Sequence, residues 1–176
     1  MKPRKGARAA DLTYGGYLGL DALLSLQRTR SRPASHDEMQ FIIVHQAFEL
    51  WFKLMLHEID ALYVLFRKLD VREAERLFRR LNRILEVFIQ QLEVIETMVP
   101  SDFVAFRALL RPASGFQSLQ FREIEFAGGV RDERYLRLFD SDPTARRRLL
   151  RRLKSPTLWD AFAAMLRKSG FRNADA

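Results

Sequence analysis

The sequence predicts an all-α protein: a helical bundle built on two long antiparallel helices, about 36–69 and 71–99, with shorter helices packed around them. Three observations carry this. No stretch sustains the period-two alternation of a strand, and glycine and proline are few. Phe41, His45, Phe48, Phe52, Met55, Ile59, Leu62, Phe66 and Leu69 follow one another in steps of four and three, which is a single stripe along one helix face. A second stripe, Val71, Ala74, Phe78, Leu81, Leu85, Phe88, Leu92, Ile95 and Val99, begins after a very short link at Asp70, so the second helix must fold back on the first.

Each element has its own signal. Tyr14-Gly15-Gly16-Tyr17 reads as a loop entering a helix at 18–26. Ser35 with Glu38 three residues on is a capping-box pattern that opens the first long helix, which at 1.5 Å per residue would run about 50 Å. Between Phe41 and Leu56 this helix is apolar on almost every side, so it is expected to be covered all round. The second long helix keeps a polar outer face of Arg72, Glu75, Arg76, Arg79, Arg80, Arg83 and Glu86, and Pro100 ends it. Ser101 and Asp102 can cap a helix reaching Leu110, and Ser114 with Gln117 opens another that Gly128-Gly129 closes. Asp142-Pro143 and Ser155-Pro156 each place a capping residue before a proline at a first helical position. The expected count is eight helices and no sheet.

The 176 residues suit one domain, expected to span 12–171 between a basic flexible N-terminus, 1–11, and a short tail, 172–176. Apolar residues at 48% give it a core to bury. Cysteine is absent, which excludes a disulfide framework, a thiolate metal site and a cysteine nucleophile. Three histidines, His36, His45 and His57, leave no room for a histidine-rich metal site. No apolar run is long enough to span a membrane, and the basic start lacks the apolar stretch of a secretory signal, so the expectation is a soluble cytoplasmic protein. The net charge of +8 and the run from Arg146 to Lys154 raise nucleic acid as a partner, but that run has no aromatics and reads better as a solvated helix face.

His45 is the foremost candidate for chemistry, because an imidazole inside an apolar stripe costs a few kcal/mol (roughly) unless hydrogen-bonded. Its ordinary reading is a satisfied core histidine; its functional reading is a base or ligand on a cavity wall, with Phe41 one turn before it. Arg107, among Phe103, Val104, Phe106 and Leu110, either covers a core edge with its stem or grips a carboxylate with its guanidinium. Ser114-Gly115 at a helix start could receive an anion, though most such serines only cap. No glycine-rich phosphate loop, serine triad or calcium-binding loop is present.

Taken together, Leu12 to Leu18, His36 to Met39, Phe41-Ile42-Ile43-Val44-His45-Gln46, Glu49-Leu50-Trp51-Phe52-Lys53 and Pro112 to Arg122 closely resemble the tryptophan 2,3-dioxygenase family in order and spacing. The resemblance runs from Leu12 to about Phe171, and Ser114 to Arg122 is its most specific segment. It implies an all-helical haem enzyme that opens the indole ring of L-tryptophan with O2 to give N-formylkynurenine. By resemblance, His45 is the distal histidine near the indole N–H and Phe41 the aromatic beside the indole. Arg107 is the arginine on the substrate carboxylate, with Phe103 and Leu110 as apolar neighbours. Ser114 and Gly115 lie beside the haem, and Tyr14 and Tyr17 reach into a neighbouring subunit's pocket. The resemblance implies haem b and a homo-oligomer that is tetrameric in the family; the hydropathy and the basic run, read above, give no membrane partner and make nucleic acid the lesser reading. It also implies an iron ligand on the proximal side, from a part of the family chain beyond Phe171. No histidine follows His57. The chain could be a fragment or a natural short form whose missing part comes from another polypeptide, His45 or His57 could hold the iron, or the chain could be a non-catalytic relative serving as an oligomerisation or interaction module.

Overall fold

The computed structural model describes residues 12–171; the two terminal segments assigned above, 1–11 and 172–176, lie outside the described residues. Within them the chain forms eight α-helices and no strand: α1 (Tyr14–Leu18), α2 (Leu20–Leu23), α3 (His36–Lys68), α4 (Val71–Glu96), α5 (Pro100–Arg107), α6 (Leu119–Gly128), α7 (Pro143–Lys154) and α8 (Leu158–Lys168). Short 3-10 turns occupy Ala108–Leu110, Gly115–Gln117 and Glu133–Phe139.

The two long helices are antiparallel, and the contacts between them show it. Gln40 near the start of α3 donates to Thr97 Oγ1 at 3.1 Å and to the Val94 carbonyl past the middle of α4. Further along, Phe48 meets Phe88 at 5.4 Å, Glu58 pairs with Arg80 at 2.6 Å, and Phe66 meets Phe78 at 6.0 Å. The reversal takes two residues. Leu69 adopts a left-handed conformation at φ 59°, which a non-glycine residue does only under constraint, and Asp70 caps α4 by accepting the Glu73 N–H at 3.2 Å. Met55, Ile59, Leu62 and Phe66 of α3, Leu77, Leu81 and Ile84 of α4 and Met165 of α8 form the main core. A second core, Phe126, Leu136, Phe139, Ala145 and Leu149, lies under α7.

Several local expectations are corrected. Tyr14 to Leu18 is helical rather than loop, because the Thr13 hydroxyl caps the Gly16 N–H at 3.1 Å. The expected helix at 18–26 is reduced to α2, since Gly19 at φ 64° breaks it from α1. On α4 the buried seam is Ala74, Leu77, Leu81 and Ile84, so Val71, Leu85 and Leu92 are exposed instead of packed against α3. The helix also stops at Glu96, and Pro100 begins α5 instead of following a longer α4, with no side-chain cap from Ser101 or Asp102. Ser114 and Gln117 do form the expected capping box, but on a 3-10 turn; Ser118 caps α6. Asp142 caps α7 as expected, whereas α8 is capped by Thr157 and Asp160 two residues beyond Ser155. All-round burial of 41–56 fails too: Ile43 and Leu50 are 48% and 52% exposed on the back of α3.

The expected Ser35–Glu38 capping box is replaced by something stronger. The Glu38 side chain turns back into the preceding segment, accepting the Arg30 N–H at 2.7 Å, the Ser31 N–H at 2.9 Å and the Ser31 hydroxyl. Ser31 Oγ in turn accepts the Ser35 N–H at 2.8 Å. Burial opposes ionisation of this carboxyl, but the bonds from Arg30 and Ser31 outweigh it and hold Glu38 below the usual carboxylate range. A carboxylate whose folded pKa is lowered contributes stability that is complete above its unfolded pKa and lost as pH falls through the folded value. Glu38→Gln is therefore expected to lower stability at pH 7 by about 1–2 kcal/mol. The gap to the parent should close as urea titrations are moved down through and below the carboxylate range. An unchanged gap at low pH would assign the effect to shape rather than charge.

Candidate active site

Helix α3 places Phe41 and His45 one turn apart on one face, and their rings meet at 4.0 Å. Helix α5 crosses this point and adds Phe103, 5.8 Å from Phe41, and Phe106, 5.6 Å from Phe41 and 5.5 Å from Phe103. Phe106 is completely buried, so it backs the wall while Phe41 and Phe103 remain half-open. The Arg107 guanidinium lies over the Phe103 ring at 5.6 Å and has no carboxylate partner among the described residues. An arginine held over a ring and left without a counter-ion is available to an incoming carboxylate.

His45 Nδ1 lies 2.7 Å from the Phe41 carbonyl oxygen. A carbonyl only accepts, so Nδ1 carries the hydrogen, and in the neutral ring Nε2 keeps a free lone pair. The bond disposes of the cost of a polar ring in an apolar stripe and fixes the tautomer at the same time. His45 also lines an open groove of about 380 Å³ with Leu23, Leu26, Gln46, Glu49, Leu50, Lys53 and Gln120. Gln46 ties this groove to the N-terminal segment by accepting from Gln27 at 2.6 Å, and Gln120 of α6 closes it by donating to the Glu49 carboxylate at 2.8 Å.

The remaining candidates are not brought to this cluster. Ser114 and Gly115 stand on the 3-10 turn before α6, where the Ser114 side chain accepts the Phe116 N–H at 3.3 Å. Ser114 lines a separate groove of about 580 Å³ with Phe116, Asp132, Arg134 and Tyr135. That segment is anchored by Arg122, buried with its guanidinium 4.1 Å from the Tyr135 ring centre and 4.8 Å from that of Phe121. Arg122 pairs with Glu125 at 2.7 Å. Burial raises the Glu125 carboxyl above its ordinary range, with Arg122 acting in the opposite direction. Leu110 is half-buried in the 3-10 turn after Arg107. Tyr14 and Tyr17 are 77% and 73% exposed on α1. Phe106 is the member that sequence reading missed, although its spacing from Phe103 and Leu110, three before and four after, was visible.

The arginines of α7 are mostly engaged within the fold: Arg146 with Asp140 at 3.3 Å, Arg148 with Glu123 at 2.6 Å and Arg152 with Asp60 at 2.8 Å. Arg148 and Arg152 fasten α7 to α6 and α3, so part of the run expected as a solvated face is packed against the fold. No helix among the described residues is long and apolar enough to cross a membrane.

The fold and the site define an all-helical protein in which an imidazole, two half-open phenylalanine rings and an exposed guanidinium follow one another in contact. The family model for tryptophan 2,3-dioxygenase matches residues 2–175, and the chain belongs to that family. A tryptophan 2,3-dioxygenase from a Nocardioides species is 49% identical over 171 residues, covering 94% of this chain and 64% of the relative. One from Herpetosiphon aurantiacus is 48% identical over 160 residues, covering 91% and 61%. One from Xanthomonas oryzae is 45% identical over 159 residues, covering 90% and 54%. The chain thus spans 54% to 64% of the length of these curated relatives.

The residues present fit one face of a haem. A porphyrin needs a flat apolar wall and a single axial donor, not a cage of ligands. Among the described residues no three His, Asp or Glu side chains gather into such a cage. The half-open rings of Phe41 and Phe103 would supply the wall, with the imidazole of His45 beside it and not as the axial donor.

Proposed function

We propose that this chain forms the distal, substrate-orienting part of a haem-dependent tryptophan 2,3-dioxygenase, which oxidises L-tryptophan with O2 to N-formylkynurenine. The observation that carries the reading is the run of contacts from His45 through Phe41 and Phe103 to Arg107 in a chain of this family. Haem b, when bound, supplies the oxygen chemistry. The chain's own residues do the rest. Phe41 and Phe103 hold the flat indole and exclude water from it. His45 Nε2, free because Nδ1 is committed to Phe41, accepts the indole N–H. Arg107 pairs with the substrate carboxylate and so sets which end of the amino acid points inward. Ser114 and Gly115 lie along the haem edge, and Tyr14 and Tyr17, exposed on α1, complete a neighbouring subunit's pocket in a cytoplasmic homo-oligomer. The proximal iron ligand is expected from the part of the family polypeptide outside the matched region.

Haemin titration of the purified chain, alone and with a complementing chain, tests this: a Soret band and tryptophan turnover are expected. Absence of both under both conditions would remove the proposal. In the loaded protein His45→Ala is expected to keep the haem and to slow turnover by roughly 10²-fold, the low end for loss of a positioned proton acceptor. Loss of the Soret band in that variant would instead make His45 an iron ligand.

A further inference from the structure

His45 stands on α3, whereas the Ser114–Gly115 turn runs straight into α6 through two caps in series. The Ser114 N–H donates to the Gln117 side chain at 3.0 Å, the Ser114 hydroxyl accepts the Phe116 N–H at 3.3 Å, and the Ser118 hydroxyl accepts the Phe121 N–H at 3.2 Å. The turn therefore moves with the first residues of α6. Gln120, the second residue of that helix, reaches across to α3 and uses both Nε2 hydrogens on a single residue. It donates to the Glu49 carbonyl at 2.9 Å and to the Glu49 carboxylate at 2.8 Å.

Both acceptors lack hydrogens, so they fix the amide with its nitrogen toward α3. The bond to the carbonyl matters most, because a backbone oxygen cannot swing as a carboxylate can. Glu49 lies one turn beyond His45 on the same helix face, and His45, Glu49 and Gln120 line one groove. Phe121 also packs on Phe52 at 5.3 Å, which docks α6 on α3. Apolar packing is non-directional and tolerates a slide of the helix that two aimed hydrogen bonds do not. The distance from the Ser114–Gly115 turn to the imidazole is thus set at Gln120.

We propose that Gln120 is a positioning residue for the reaction, holding the Ser114–Gly115 turn in register with His45 through Glu49. The role rests on the function proposed above. Three variants test it. Gln120→Leu removes the donor, and Gln120→Glu keeps the size but sets a second carboxylate against Glu49. Gln120→Lys restores donors that reach the same oxygens. The ring contact of Phe121 on Phe52 and the Glu123–Arg148 pair at 2.6 Å keep α6 anchored, so helical circular dichroism should be retained in all three. The chain has no cysteine, so exposed Ile43→Cys and Ala113→Cys carry two spin labels, one on α3 and one beside the turn. Dipolar spectroscopy of the full chain, without haem, should give a narrow distance in the parent and in Gln120→Lys, and a broadened one in Gln120→Leu and Gln120→Glu. In the haem-loaded, complemented protein, Gln120→Leu and Gln120→Glu should lower kcat by about tenfold to a hundredfold, the scale of a misplacement near 1 Å. Their KM for tryptophan should stay within about threefold of the parent, because Arg107 and Phe103 stand on α5 and Gln120 bonds to α3. Gln120→Lys should recover most of the rate. Unbroadened distances, an unchanged kcat, or a loss that Gln120→Lys does not restore would overturn the proposal while leaving the functional reading intact. A parent protein that does not turn over tryptophan would remove that reading, and this role with it.

Discussion

Replacing Phe106 with alanine is expected to destabilise the protein by about 3–5 kcal/mol, the range for deleting a fully buried aromatic ring from a packed core. Phe106 has no solvent exposure and packs on both Phe41 and Phe103, so the cavity would open directly behind the candidate site. The rings of Phe41 and Phe103 would lose the surface that orients them, and interiors packed at crystal density transmit such a loss to their neighbours. Urea denaturation of the full chain measures the first effect. Collapse of α5 toward α3 could recover part of it, and Phe106→Leu, which refills most of the volume, should cost far less. A change below about 1 kcal/mol for Phe106→Ala would mean that α5 is not anchored on α3 through this ring.

Loss of the Arg107 guanidinium is the largest effect expected on substrate binding. In the haem-loaded, complemented protein, Arg107→Ala should raise the KM for L-tryptophan by about ten- to a hundredfold, the usual worth of a charge-assisted pair with a carboxylate. The folded state should be almost unaffected, because Arg107 is exposed and its recorded contact is with the Phe103 ring. Arg107→Lys should recover only part of the loss, since an ammonium gives a charge without the two-point fork. Indole derivatives lacking the carboxylate should bind parent and variant alike. An unchanged KM for tryptophan would place Arg107 outside the substrate site.

The two predictions separate parts of the site that were unequally legible in the sequence. His45 and Phe41 stood out because a histidine in an apolar stripe is anomalous, and the observed Nδ1 bond to the Phe41 carbonyl is what makes that anomaly tolerable. Arg107 has two readings, a stem over a core edge or a guanidinium for a carboxylate; it is exposed and lies over Phe103 with no ion pair among the described residues, which leaves the second open. Phe106 drew no attention because one phenylalanine in an apolar helix looks like another. Its importance comes from α5 crossing α3 at Phe41, a contact between residues more than sixty positions apart. Ser35 and Glu38 illustrate the reverse: the pattern marked the right helix start, yet the glutamate bonds to Arg30 and Ser31 instead of to the cap.

What the sequence by itself determined is the helical class, the two long helices and their reversal near Asp70. These follow from bonds between residues four apart and from apolar spacing, which are local and need no knowledge of neighbours. What only the tertiary structure decided is which of two apolar rows on α4 becomes the seam. Leu77 and Ile84 compete with Phe78 and Leu85, one residue away in each case, and both rows satisfy the helical period. Burial goes to Leu77 and Ile84 because α3 fills that side, while Phe78 reaches only the Phe66 ring and stays half-buried, and Leu85 is open. Hydrophobic stabilisation depends on what lies opposite, and a periodic pattern records only where apolar residues sit on their own helix.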